Sequence, residues 1–278
     1  MAPFDIVMAV VFGLNIVFLP IEFWLLSRLI SQLPSESQVD TPETDAQPSL
    51  WQSFATWPAV YAKHSVFLAS LAYCFLFITV LMPGGLMSAF LISRKIPDLV
   101  LAGFRGACAI TGLLATLLAS PVAEKLGIER AGMLFVWFQF SMLVPAVVFL
   151  IFFSGDWVVY VFLLLVVLSR VGLWGFDLVE IQLMQTRVEQ SQAGLINSAE
   201  HSTYSLFSTL PLLAGLLLAE ASFFVWLVVA SSVSVLIAAV LFSIYAAKQR
   251  KREPNQIEAL PTLPDEDAWM TQDDEQAL

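Results

Sequence analysis

Seven apolar runs alternate with short polar breaks along this chain, at residues 6–30, 65–92, 99–119, 133–153, 157–183, 195–218 and 223–247. Each is at least as long as the ~20 residues a helix needs to cross a hydrocarbon core of about 30 Å. The first run is interrupted by Asn15, Pro20 and Glu22. It reads as a span rather than a signal peptide, because residues 1–5 carry no positive charge and one negative. A polar linker follows, rich in Ser, Pro and acids. Its last part spaces Trp51, Phe54, Trp57 and Tyr61 as an interfacial helix or an aromatic belt would, and His64 belongs at the same interface. The second run contains Pro83-Gly84-Gly85, which must break or kink a helix and free backbone groups at membrane depth. Such a break marks a candidate binding site or a place where helices pack closely. Pro97-Asp98 suits the start of the third span, whose Gly103, Gly106 and Gly112 suit small-residue packing. Residues 121–130 read as a short charged loop and Ser154-Gly155-Asp156 as a tight turn. The pattern predicts an all-α polytopic bundle: a first helix at 1–30, a linker at 31–63, a six-helix lobe at 64–247 and a disordered tail at 248–278.

Composition agrees with the pattern. Of 278 residues, 58% are hydrophobic and 13% charged, against about 45–50% and 25% in soluble domains. The formal charge of −10 is local. Four acids sit in the linker (Glu36, Asp40, Glu43, Asp45) and eight from Glu253 onward, so the membrane part is mildly basic. Lys248, Arg250, Lys251 and Arg252 directly follow the last span. Counting spans back puts Arg187, the charged loop at 125–130, Lys63 and Arg28 on the same side, with Arg94 and Lys95 opposite. The positive-inside rule makes that side cytoplasmic, with linker and C-terminus. Cys74 and Cys108 lie in apolar runs without a CxxC or His/Cys cluster and read as buried structural thiols.

The candidate chemistry lies in residues 169–202. Arg170, Asp177 and Glu180 stand at membrane depth, where ionisable groups face a bundle interior or a water-filled cavity. Arg170 and Asp177, seven residues apart, share a helix face and could form an ion pair, static or mobile. Glu180 and Gln182 suit the wall of a cytoplasmic vestibule. Glu200, His201 and Tyr204 lie near the start of the sixth span, where Glu200 and His201 are either metal-ligand candidates or solvated, hydrogen-bonded groups. No HExxH, GxSxG or P-loop motif is present, so an enzyme is not expected. The basic residues sit at span ends, which leaves no footprint for nucleic acid.

Arg170-Val171-Gly172-Leu173-Trp174-Gly175-Phe176-Asp177-Leu178, Gln182-Leu183, Gln185, Gly194, Ile196-Asn197 and Ser202 follow one another at fixed spacing. This stretch resembles the signature of the ferroportin family of metal-ion exporters. Glu22-Phe23-Trp24-Leu25-Leu26, Ser65-Val66-Phe67-Leu68-Ala69, Thr79-Val80-Leu81 and Gly106-Ala107-Cys108-Ala109-Ile110-Thr111-Gly112 match the family in the same order. The resemblance implies a major-facilitator plan of twelve helices. Here helix six and the C-terminal six-helix lobe would be present and five helices missing, by truncation or because the chain is a fragment.

The resemblance also implies export of iron(II) or a similar divalent metal by alternating access, with the metal as substrate and no cofactor. The implied partners are the bilayer, the metal ion and either the missing N-terminal lobe or a partner chain. The family's metal-site aspartate and cysteine positions are Gly84 and Gly85 here, its histidine position is Pro211 and its gate arginine is Ala193. Those departures put the metal ligands in doubt and make control by the family's peptide hormone unexpected. They favour an alternative, a non-transporting half-transporter or a regulatory membrane protein that needs a partner chain.

Overall fold

The computed structural model of the chain describes residues 58–217 and 223–258, together with Pro20, Trp24, Leu25 and Arg28. The chain forms two compact units, residues 1–51 and 52–278. In the first, the four described residues are helical and the Arg28 guanidinium lies over the Trp24 ring at 5.3 Å. The rest of the expected first span, most of the linker, and Trp51, Phe54 and Trp57 lie outside the described residues.

Every regular element described in the second unit is helical. After a helical stretch at 58–63 come α1 (Phe67–Leu76), α2 (Gly85–Ser93), α3 (Asp98–Leu126), α4 (Ile128–Phe152), α5 (Asp156–Arg187), α6 (Gln190–Leu217) and α7 (Phe224–Glu258). Among the described residues α3, α4, α5 and α7 are long and apolar enough to cross a membrane. α6 has the length, but Gln190, Asn197, Glu200 and His201 make it more polar. The second apolar run is two helices, α1 and α2, with a non-helical stretch at residues 77–84 between them. Large apolar side chains such as Leu113, Leu117, Phe152, Leu164 and Leu216 stay exposed, a surface suited to acyl chains rather than water.

Several boundaries differ from the sequence pattern. The expected loop at 121–130 is helical except at Gly127, which joins α3 to α4 at φ 84°. Pro121 sits inside α3 without ending it, as proline can in a membrane helix whose neighbours re-satisfy the freed backbone groups. At the other end of the lobe Gly155 takes φ 118° in the turn before α5, and Asp98 opens α3 directly after Pro97. α7 continues past Ala247 through the basic cluster to Glu258. Of the tail, residues 259–278 lie outside the described residues.

α5 is the hub. It packs along α4 and α3 and touches α1, while α7 packs on α1 and α4 and α6 leans chiefly on α1. Its signature glycines explain the closeness of α4. A Cβ at Gly172 would stand 2.6 Å from the Phe135 carbonyl oxygen and 2.7 Å from the Gln139 backbone nitrogen. One at Gly175 would run into the Phe135 ring. The third corner is aromatic, with Phe176 and Phe242 edge to face at 4.8 Å. Among the glycines of α3, Gly112 lies under the Trp174 indole, whereas a Cβ at Gly103 or Gly106 would meet open space. The small-residue role expected for those two is not seen.

The break between α1 and α2 is held by α7. The buried Val80 N–H donates to Ser231 Oγ at 3.0 Å, and Ser234 Oγ donates to the Phe75 carbonyl at 2.7 Å. Gly84, extended at φ −108° and ψ −164°, accepts from the backbone N–H and the hydroxyl of Ser88. At the far end of α2, Phe90 stacks on Phe224 at 4.0 Å.

Two outcomes follow. Gly172→Ala is expected to cost about 1–3 kcal/mol, because backbone atoms of α4 must move, while Gly103→Ala is expected to leave stability unchanged or raise it by up to about 1 kcal/mol. Ser231→Ala is expected to cost about 1–3 kcal/mol by leaving the Val80 N–H unpaired. Thermal unfolding of purified variants in one detergent checks both; an unchanged midpoint for Gly172→Ala would contradict the close α4–α5 contact.

Candidate functional site

The polar stripe of α5 opens into two separate cavities. The first, about 790 Å³, lies between α1, α5 and α6 near the Arg187 end of the bundle. Glu180, Asn197, Glu200 and His201 line it, with Tyr73 and Tyr204. Glu180 is only 2% exposed, and its Oε1 has no hydrogen-bond partner among the described residues. The Glu180 and Glu200 carboxyl groups lie within hydrogen-bonding reach of one another. Two ionised carboxylates have no proton to share, so this contact is repulsive unless a proton or another cation bridges it. Glu200 also accepts a hydrogen bond from the Ser70 hydroxyl, which is bonded in turn to the Tyr61 hydroxyl. His201 stacks on Tyr204 with centroids 5.6 Å apart.

The second cavity, about 390 Å³, lies beside the α1–α2 break, against α3 and α5. Pro83, Arg170 and Trp174 line it with Met82, Arg105 and Cys108. Arg170 is 2% exposed; its Nε donates to the Val166 carbonyl at 3.4 Å and its Nη1 has no partner among the described residues. Cys74 and Cys108 are both free and buried, as expected, but Cys108 also faces this cavity.

The expected Arg170–Asp177 pair is not formed. Asp177 instead stands near Tyr73 on α1. Seven residues share a face but are separated by about 10.5 Å of helix rise, too far for a contact usually made at i+3 or i+4. The ion pair the described residues do make is Arg187 Nη2 to Glu129 Oε1 at 2.6 Å, closing the ends of α4 and α5. Gln182 is half-buried and lines neither cavity, and Gly84 and Gly85 are exposed outside both.

Glu129, Arg130, Arg250 and Lys251 share one depression, and Lys63, His64 and Lys248 another. Ser70, Tyr61 and Tyr73 had no sequence signal for the first cavity. Tyr61, expected at the membrane interface, is 3% exposed and packs edge to face on Phe67. Among the described residues no group of three or more His, Cys, Asp or Glu converges to hold a metal ion.

The carboxyl contact makes a signed prediction. Glu180→Gln supplies permanent N–H donors to Glu200 and can carry no charge, so it is expected to leave the lobe at least as stable as the parent. A lower unfolding midpoint for this variant at neutral pH would contradict the contact.

Comparison with known proteins places this arrangement in a family. The family profile described as Ferroportin1 (FPN1) matches residues 2–235. Solute carrier family 40 member 1 of Oryza sativa subsp. japonica is 29% identical over 257 residues, covering 85% of this chain and 53% of the relative. Ferreportin of Bdellovibrio bacteriovorus is 33% identical over 187 residues, covering 66% of this chain and 42% of the relative. Among solved structures, a bacterial homologue of the iron transporter ferroportin in its outward-facing state superposes with a TM-score of 0.69 at 28% identity, covering 81% of this chain and 53% of that one. The inward-facing state of such a homologue gives 0.62 at 32% identity, covering 66% and 45%. The chain thus spans about half the length of the relatives it matches. With the profile running over most of its residues and the signature stretch forming the hub of its bundle, the chain belongs to the ferroportin family.

Proposed function

We propose that this chain forms one lobe of a transporter that exports iron(II) or a similar divalent metal by alternating access. The observation that carries the reading is the signature stretch on α5 and α6, whose polar residues Glu180, Asn197, Glu200 and His201 line one cavity. The likeness to homologues solved in both inward- and outward-facing states supports alternating access. One of those homologues was solved with soaked iron, which supports iron as the metal.

In this reading the metal meets the paired carboxyls of Glu180 and Glu200, with Asn197 and His201 at the wall. The ion keeps much of its water, because the family's cysteine and histidine positions are Gly85 and Pro211. Weak contact suits a cargo that must leave again. The metal is cargo, and the proposed partners are the bilayer, the ion and a second lobe, borne on the same polypeptide or on a partner chain. The basic surface around Arg130, Lys248 and Arg250 faces the cytoplasm under the positive-inside rule, with the linker and C-terminus.

The two substituted ligand positions favour one alternative, a non-transporting half-transporter or regulatory membrane protein that works through a partner chain. A flux measurement separates the two readings. Cells producing this chain with a complementary family N-terminal lobe are loaded with radiolabelled iron, cobalt or manganese, and release is followed. Export above the level of each lobe alone is expected, reduced about tenfold or more by Glu180→Gln with Glu200→Gln. Unchanged release of all three metals would support the non-transporting reading instead.

A further inference from the structure

We propose that the cavity of about 390 Å³ beside the α1–α2 break is an anion-binding site, and that its ligand is an organic carboxylate with an apolar body. The head of the site is Arg170. A guanidinium stays charged and offers five N–H donors in a planar fork. Here it is 2% exposed, makes one long bond to the Val166 carbonyl, and leaves Nη1 unpaired among the described residues. Charges buried in a membrane protein are paired or hydrated. The acid on the same helix face, Asp177, lies two turns away against Tyr73. Among the described residues no acidic side chain lines the cavity, and a second guanidinium, Arg105, stands at its wall, donating to Ser88 Oγ at 2.8 Å.

The remaining wall sets the class of ligand. Met82, Pro83, Leu113 and the Trp174 indole give the cavity an apolar body. Its size falls within the range of small-molecule sites, so a bare inorganic anion would leave most of it unfilled. A carboxylate matches the guanidinium fork with two parallel hydrogen bonds, and an attached hydrocarbon or aromatic group covers the apolar wall. The same chemistry is offered by a fatty acid from the bilayer and by a water-soluble carboxylate. The site is independent of whether the lobe moves metal.

Cys108 lines the cavity and serves as a native reporter, while Cys74 lies on α1 with its thiol directed at the Glu200 carbonyl. The chain carrying Cys74→Ser is placed in neutral-lipid nanodiscs and treated with anionic or cationic methanethiosulfonates of equal size, and Cys108 labelling is followed by mass spectrometry. The anionic reagent is expected to react about tenfold faster. Decanoate or benzoate is expected to slow labelling, whereas their methyl esters do not. Protection by decanoate alone identifies a membrane-borne ligand, and protection by benzoate alone a water-soluble one. Arg170→Gln is expected to abolish the charge preference and the protection; Arg170→Lys keeps the preference and loses most of the protection. Absence of a charge preference, equal protection by the esters, failure of both acids to protect, or persistence of the effects in Arg170→Gln overturns the proposal. Should Arg170→Gln not fold, the acid–ester comparison on the unaltered Arg170 decides the matter.

Discussion

The backbone of α4 runs so close to α5 that position 172 has room for nothing larger than hydrogen. A Cβ there would collide with backbone atoms of residues 135 and 139, which no rotamer change can move aside. In a lipid surround, where hydrophobic collapse does not drive helices together, such close approach is a main source of association. The contact brings α5 into the middle of the lobe and turns its opposite face toward α1, α3 and α6. Both cavities depend on that placement. Arg170 and Glu180 are buried because α5 is buried, each with a polar atom left over that a surface helix would have given to water.

A second constraint acts on the stretch between α1 and α2. Backbone freed from helical bonding in a membrane must find partners within the protein. Two serines one turn apart on α7, Ser231 and Ser234, supply them from outside the broken run. With those bonds made, residues 77–84 can stay non-helical, and Met82 and Pro83 become a wall of the Arg170 cavity. Removing the helix there opens space that a continuous span would have filled.

The polar groups of α5 show how one helix face can serve two sites. Arg170, Trp174, Asp177 and Glu180 lie within one broad stripe, but the rise along the axis separates the first from the last by about 15 Å. They face different neighbours: Arg170 and Trp174 share a cavity with α3, Asp177 stands near Tyr73 of α1, and Glu180 faces Glu200 of α6. α6 leans on α1 through Tyr204 against Tyr73 and through Glu200 against Ser70, and touches the other helices little.

Much of this was legible in the amino-acid order. Apolar runs of spanning length, Pro83-Gly84-Gly85 as a break, Gly155 as a turn and the stretch from Arg170 to Ser202 as the family signature are local properties, readable because each is set by neighbours in the chain. The helical joint at Gly127 and the extent of α7 were less so, since Pro121 and the basic cluster signal an end that both helices run through. What tertiary structure alone decided is which residues meet. Helical spacing puts Arg170 and Asp177 on one face, yet it cannot tell that Tyr73, about a hundred residues earlier in the chain, will stand near the acid. Nor can it tell that Ser70, itself bonded to Tyr61, will reach Glu200, or that Cys108 will share a cavity with Arg170. A helix's own sequence dictates its polar stripe; the partners for that stripe come from whichever helices the packing of backbones brings against it.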